Sequence, residues 1–212
     1  MTISLPNGAT IAIASGYAVA VPITSISNAK PASASAKNTL EAGDFVEITS
    51  GWSRLTDKVV RVIAPTSSLF GLAGIDSTLV SIHPLHGGAG SFRKIMGWTQ
   101  LSQILSSASS GGEQQFLEYQ FLESDAQKRI PTYKSAAGLA FSVADDPLQA
   151  GYILASAAND DRLPRAVKIS LPSGSVLVYN AYISLNKTPS LTVNEIMACE
   201  VTLSLLAEPM RY

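Results

Sequence analysis

The stretch AVKISLPSGSVLVYNAYISLNKTPSLTVNEIMACEVTLSLL, residues 166–206, decides the fold. Val167, Ile169 and Leu171 alternate with Ala166, Lys168 and Ser170. After the turn Pro172-Ser173-Gly174-Ser175, the set Leu177, Tyr179, Ala181, Ile183 and Leu185 alternates with Val176, Val178, Asn180, Tyr182 and Ser184. A third run sets Cys199, Val201, Leu203 and Leu205 against Glu200, Thr202 and Ser204. Side chains in a strand point to opposite faces with a period of two, so each run is a strand with two distinct faces. Both faces of the second run are rather apolar. That predicts a sheet covered on both sides, or one whose second face meets another chain.

Upstream, more strands are expected. Phe45, Glu47 and Thr49 alternate with Val46 and Ile48, and Val59 to Ile63 is a run ended by Pro65. Leu69 to Asp76 carries glycines that suit bulges or bends. Ile95 to Leu105 has apolar residues at helix spacing, but its glycines and β-rich surroundings favour a strand. Ser106 to Gly112 reads as a flexible loop. Gln114 to Glu123 and Arg129 to Tyr133 read as a long hairpin, with Pro131 at an edge or a bulge. One helix is signalled over about residues 146–158. Asp146 would cap it, Pro147 would take the first helical position, and Gln149 would reach back. Leu148, Tyr152 and Ala155 would share its apolar stripe.

The N-terminal part is divided at about residue 40. Residues 1–40 read as strands and an arm, either separate from the core or part of it, and residues 41–212 as the main β domain. Ser25 to Asn38, rich in Ser, Ala, Lys and Asn, has the composition of a loop or arm. Ala9 to Val21 is apolar and contains Ala18-Val19-Ala20, but the first basic residue is Lys30. A strand pair therefore fits better than a secretion signal.

Composition narrows the function classes. The chain has 212 residues, 46% hydrophobic and only 15% charged, which disfavours disorder and suits a protein that hides surface in an oligomer. A formal net charge of −1 gives no global basic field for gripping nucleic acid. The single Cys199 excludes an internal disulfide and reads as a buried structural thiol.

A search for chemistry finds little. His83 and His86 lie in a Pro- and Gly-rich loop with no carboxylate at ligand spacing, so no metal is expected. Gly87-Gly88-Ala89-Gly90 lacks the Gly-Lys-Ser/Thr ending of a phosphate loop. Two Ser-x-x-Lys matches, at Ser27 and Ser91, lack the other elements of that hydrolase site. Asp145-Asp146 and Asp160-Asp161 suit a helix N-terminus and a solvated surface. No enzyme activity and no cofactor are expected.

Several stretches in this order are familiar as a set. They include residues 43–52 (GDFVEITSGW), 69–77, 90–105 and 111–135, then Ala144-Asp145-Asp146-Pro147, Tyr179-Asn180-Ala181-Tyr182, and 192–212. Together they resemble the major tail tube proteins of long, non-contractile bacteriophage tails, the siphophage tail tube family. The resemblance implies a mainly β subunit, a β-sandwich or barrel tail-tube fold with one flanking helix and a long projecting hairpin. It implies stacked hexameric rings forming a tube with an acidic lumen, through which DNA passes to the host without specific binding. It further implies a structural virion protein of the tail, assembled in the host cytoplasm, with tape-measure, tail-terminator and tail-tip proteins as partners. No membrane insertion is expected.

On this reading the hairpin supplies the subunit and ring contacts. Phe116, Tyr119, Phe121 and Tyr133 are its expected contact residues. Glu118 and Glu123 would take cross-subunit partners such as Lys128 or Arg129. The competing readings are a β-sandwich binding or adhesin module, against which Trp52 and Trp98 lie in or beside strands, and another tail ring protein of the same fold.

Overall fold

The computed structural model describes residues 7–212, so expectations for residues 1–6 lie outside the described residues. The first eight strands are β1 (Thr10–Tyr17), β2 (Val21–Ile23), β3 (Ser25–Ile26), β4 (Ala32–Ser35), β5 (Phe45–Ser50), β6 (Lys58–Ile63), β7 (Leu69–Leu72) and β8 (Gly90–Leu101). Then come β9 (Ile104–Ser110), β10 (Gln114–Tyr119), β11 (Lys128–Lys134) and β12 (Gly138–Ala144), before the helix α1 (Ala150–Asp161). The chain ends with β13 (Arg165–Ser170), β14 (Val176–Asn186), β15 (Ala198–Leu205) and β16 (Met210–Arg211). The fold is mainly β, with a curled sheet and one helix among the described residues, as the sequence led us to expect.

Strands β2 to β8 close on themselves. The first half of β8 pairs with β5 along one edge and with β2 along the other, Val21 opposite Phe92. The chain runs on from β2 through Thr24, whose N–H donates to the Ser35 carbonyl (2.9 Å), into β3. β3 pairs with β4, β4 with β7, β7 with β6, and β6 with β5, which completes the ring. Trp52, Phe70, Leu72, Ile48 and Val60 fill its interior. The expected loop over Ser25 to Asn38 is thus corrected: much of it is strand. Ala32, Ala34 and Ala36 point inward at period two, and their small side chains fit between the large residues of the barrel core.

The second half of β8 pairs with β1, and the sheet continues through β13, β14, β15, β12 and β9. Ser106 to Ser110, expected as a loop, is the strand β9 along that sheet's edge. The helix covers one face of this sheet over Ile13, Val167, Ile183 and Val201. Its buried residues are all small: Gly151, Ala155 and Ala158. A Cβ on Gly151 would lie 2.5 Å from the Gln100 carbonyl oxygen, so only glycine permits this approach. The helix begins at Ala150, not at 146. Asp146 instead organises the preceding turn, accepting from the Leu148 N–H (3.3 Å) and the Gln149 side-chain amide (3.1 Å). Leu148 falls outside the helix and is exposed.

The other face of the sheet is covered over half its length. A third cluster, Ala14, Val59, Ile95, Ala166 and Val178, joins the start of β14 to the barrel wall. Tyr212 reinforces that joint, its hydroxyl accepting from the Arg61 N–H (2.9 Å). The two-faced pattern of β14 therefore splits. Val176, Val178 and Asn180 meet the barrel wall, whereas Tyr182 and Ser184 remain exposed.

A polar network crosses the joint. Glu47, which alternates with the core residues Val46 and Ile48, is itself buried. Its carboxylate accepts from Arg93 (2.6 Å) and from the Asn180 amide (3.2 Å), which offsets the cost of burying charge. Arg93 lies 4.5 Å over the Tyr17 ring, and the Tyr17 hydroxyl accepts from the Ala166 N–H (2.7 Å). Burial, aided by the Glu47 charge, pushes the Tyr17 phenol from 10.0 up to about 12. Its stabilising neutral form is complete below pH 10, and its contribution is lost as pH rises towards 12, roughly 2–3 kcal/mol in all. Burial also raises Tyr179 and Tyr212, so they share the alkaline loss. Urea melts of the native chain and of Tyr17→Phe should differ less at pH 11 than at pH 9. An equal difference at both would show that Tyr17 does not titrate in this window.

Candidate assembly surface

β10 and β11 form a two-stranded sheet of their own, separate from the main sheet. They extend the β9–β12 pair beyond a break at Gly111 and Gly112, both at positive φ (69° and 78°). A Cβ on Gly111 would lie 1.9 Å from the Ala136 carbonyl oxygen, so the chain can turn there only with glycine. The Lys134–Glu208 ion pair braces the root of this arm. Beside it, Arg54 and Lys58 line a cleft of about 410 Å³ with Lys134 and Glu208. Burial lowers the Lys58 pKa, and the Lys134 hydrogen bond holds Glu208 below the usual carboxylate value.

The arm carries apolar side chains that its own chain does not cover. Phe116, Phe121 and Tyr133 are exposed, and Tyr119 meets Phe121 edge to face at 5.3 Å. Leu117, Leu122 and Ile130 are exposed too; the sequence reading passed over them although they belong to the same apolar run. Such a patch on a projecting element is a candidate interaction surface. Pro131 lies opposite Phe116, beside a register shift, as its missing N–H requires. The charged positions divide. Arg129 pairs with Glu118 across the hairpin (2.6 Å), within its own chain. Glu123 and Lys128 are exposed and have no ion-pair partner among the described residues.

A second surface lies where β14, β15, β12 and β9 leave the barrel behind. Register aligns Ser184, Thr202, Ala140 and Ala108 in one row, with Asn186, Glu200, Ser142 and Ser106 in the next. Tyr182, Ser204, Gly138 and Ser110 complete the face. It holds small hydroxyl and methyl groups, the exposed Tyr182 ring, the Asn186 amide, one carboxylate and no lysine or arginine. β9 ends this sheet, and its outer edge has no partner strand among the described residues. It carries no Pro and no charge of the kind that blunts free edges. A third exposed group, Leu191, Val193, Ile196 and Met197, lies in the loop between β14 and β15.

The residues considered for chemistry stay apart. His83 is buried against Trp52, ring centroids 4.9 Å apart, and its carbonyl accepts from Asn28 (2.8 Å). Cys199 is buried, and desolvation together with the Asp145 hydrogen bond raises its pKa, the opposite of an activated thiol. Among the described residues no group of three or more His, Cys, Asp or Glu could hold a metal ion, and no helix is long and apolar enough to cross a membrane.

Residues 50–212, more than half of the chain, match the family model described as phage tail tube protein, TTP. No curated protein sequence matches. Among solved structures, the chain is similar to the PVC sheath/tube terminator of an extracellular contractile injection system in the extended state. That pair shares 17% identity and a TM-score of 0.38 over 50% of this chain and 83% of that one. The PVC sheath–tube complex in the extended state gives 17% identity and a TM-score of 0.37, over 50% and 78%. The tube-terminating cap of the anti-feeding prophage gives 19% and 0.35, over 50% and 78%.

Proposed function

The chain belongs to the phage tail tube protein family, and on that premise we propose that it is the repeating subunit of a long, non-contractile tail tube. Six copies form a ring, rings stack into a tube, and DNA passes through the tube to the host. The observation that carries this reading is the uncovered face of β14, β15, β12 and β9. A channel wall for DNA must be wettable yet must not bind phosphate. Hydroxyl, methyl and amide groups, the Tyr182 phenol and the single carboxylate of Glu200, with no cation, meet both needs. The face ends in the open edge of β9, whose unpaired N–H and C=O groups suit lateral contact with a neighbouring copy. The β10–β11 arm, with Phe116, Tyr119, Phe121 and Tyr133, supplies the contact between rings, and Glu123 and Lys128 are free for partners on adjacent copies. Tape-measure, tail-terminator and tail-tip proteins complete the tail.

Negative-stain electron microscopy of the concentrated protein tests the reading. Six-fold rings or tubes with an open channel are expected. Monomers that persist at high concentration would overturn it.

A further inference from the structure

A groove of about 770 Å³ runs along the barrel between β2, the segment after β4 and the middle of β8. Val19, Val21, Pro22, Leu40 and Met96 line it, with Lys37 at its rim. Val19 and Met96 keep 87% and 65% of their surface exposed, so the groove is an apolar site without a cover. Lys37 has no ion-pair partner among the described residues, while Lys94 is held by Asp44 (2.6 Å).

The arm has the complementary tip. Phe121 and Leu122 stand exposed where β10 ends, and Glu123 and Asp125 follow without ion-pair partners among the described residues. Two large apolar side chains beside two free carboxylates match an apolar groove rimmed by a free lysine. The root cleft near Arg54 offers cations, but the arm's own Gln114, Thr132, Tyr133 and Lys134 already form part of its wall. No hairpin residue lines the groove in its own chain, and the arm leaves the sheet from the β9–β12 end, away from β2.

We propose that this groove receives the β10–β11 tip of a second copy, with Phe121 and Leu122 against Val19 and Met96 and with Glu123 or Asp125 near Lys37. The inference rests on the tube reading and gives its arm a specific seat. Tip and groove are different surfaces, so the contact is head-to-tail and leaves every copy one tip and one groove for the next. Each seat is small, and repetition around the axis makes the joint firm.

Cysteine cross-linking tests the seat. Proteins carrying Leu122→Cys and Met96→Cys are mixed, assembled and oxidised, with Leu122→Cys plus Ser53→Cys reporting on the root cleft. A disulfide-linked dimer from the first mixture only is expected. Lys37→Glu should raise the concentration needed for assembly about threefold, and adding Glu123→Lys should restore it. Tubes that form without the first cross-link, or that cross-link through Ser53→Cys instead, overturn the seat and leave the tube reading standing. Failure of the native chain to assemble at all overturns both.

Discussion

Excising residues 115–132 and bridging Gln114 to Tyr133 with an Asn-Gly turn is expected to abolish tube formation while leaving a folded, soluble monomer. The two halves of this result have separate causes. The monomer survives because none of the arm's residues enters the three core clusters, and the arm forms a sheet of its own. Gln114 lies opposite Lys134 in the ladder, so the cut closes through a three-residue loop, Asn-Gly-Tyr133, a common hairpin length. Assembly fails because the excision removes Phe116, Leu117, Phe121, Leu122 and Ile130, five of the exposed large apolar residues on the arm. In a repeated contact the loss recurs at every copy, so the effect is all or none. Size-exclusion chromatography, thermal melting and electron microscopy check it together. Normal tubes from the excised chain, or a melting temperature lowered by more than about 5 °C, would each contradict this account.

Trp52→Ala is expected to cost about 3–5 kcal/mol, much of the 5–15 kcal/mol typical of a folded domain. The ring is buried at the end of the barrel core. Its Nε1–H donates to the Pro84 carbonyl (2.9 Å), its face meets His83, and Gly87 and Gly88 pack so closely that a Cβ on either would lie 3.1 Å from it. Removal would leave a cavity, free the Pro84 carbonyl and undock the segment before β8. Trp52→Phe keeps most of the volume and loses the hydrogen bond, so its cost should be smaller, about 1–2 kcal/mol beyond the lost ring area. Denaturant unfolding gives both values. A loss below 1 kcal/mol for Trp52→Ala would show that the ring is not part of the core.

Much of this architecture was legible wherever side chains of contrasting polarity alternated. β5, β13, β14 and β15 were read that way, and so was the hairpin, while β6 was read from a β-branched run ended by Pro65. Other elements were hidden for identifiable reasons. β4 is written in alanine and serine, because a crowded barrel interior has room there only for small groups, and such a run looks like a loop. β9 is exposed on both faces over most of its length, so nothing in its sequence need alternate. The helix start was misplaced because Asp146-Pro147 also makes a good turn, and the residues that seat the helix are Gly151 and two alanines with a weak apolar signature. The burial of Glu47 was not legible, because its partner Asn180 lies 133 residues away, a pairing that no local pattern can reveal. The hairpin residues of the candidate surface were found by composition, whereas the β14–β15–β12–β9 face became visible only when register put its small residues side by side.

Strand β8 has a kinetic consequence. Its first half closes the barrel and its second half starts the open sheet, so neither part can leave the other without breaking one twelve-residue segment. The two parts therefore melt together rather than as independent lobes. β1 reaches β8 and β13, placing Ile11 opposite both Leu101 and Ile169, contacts that span 90 and 158 residues of sequence. Chain closure over such distances must precede the gain in contact energy, which makes folding slow and leaves β9's bare edge exposed meanwhile. The subunit is thus vulnerable to premature association while it folds, before its barrel and sheet are joined.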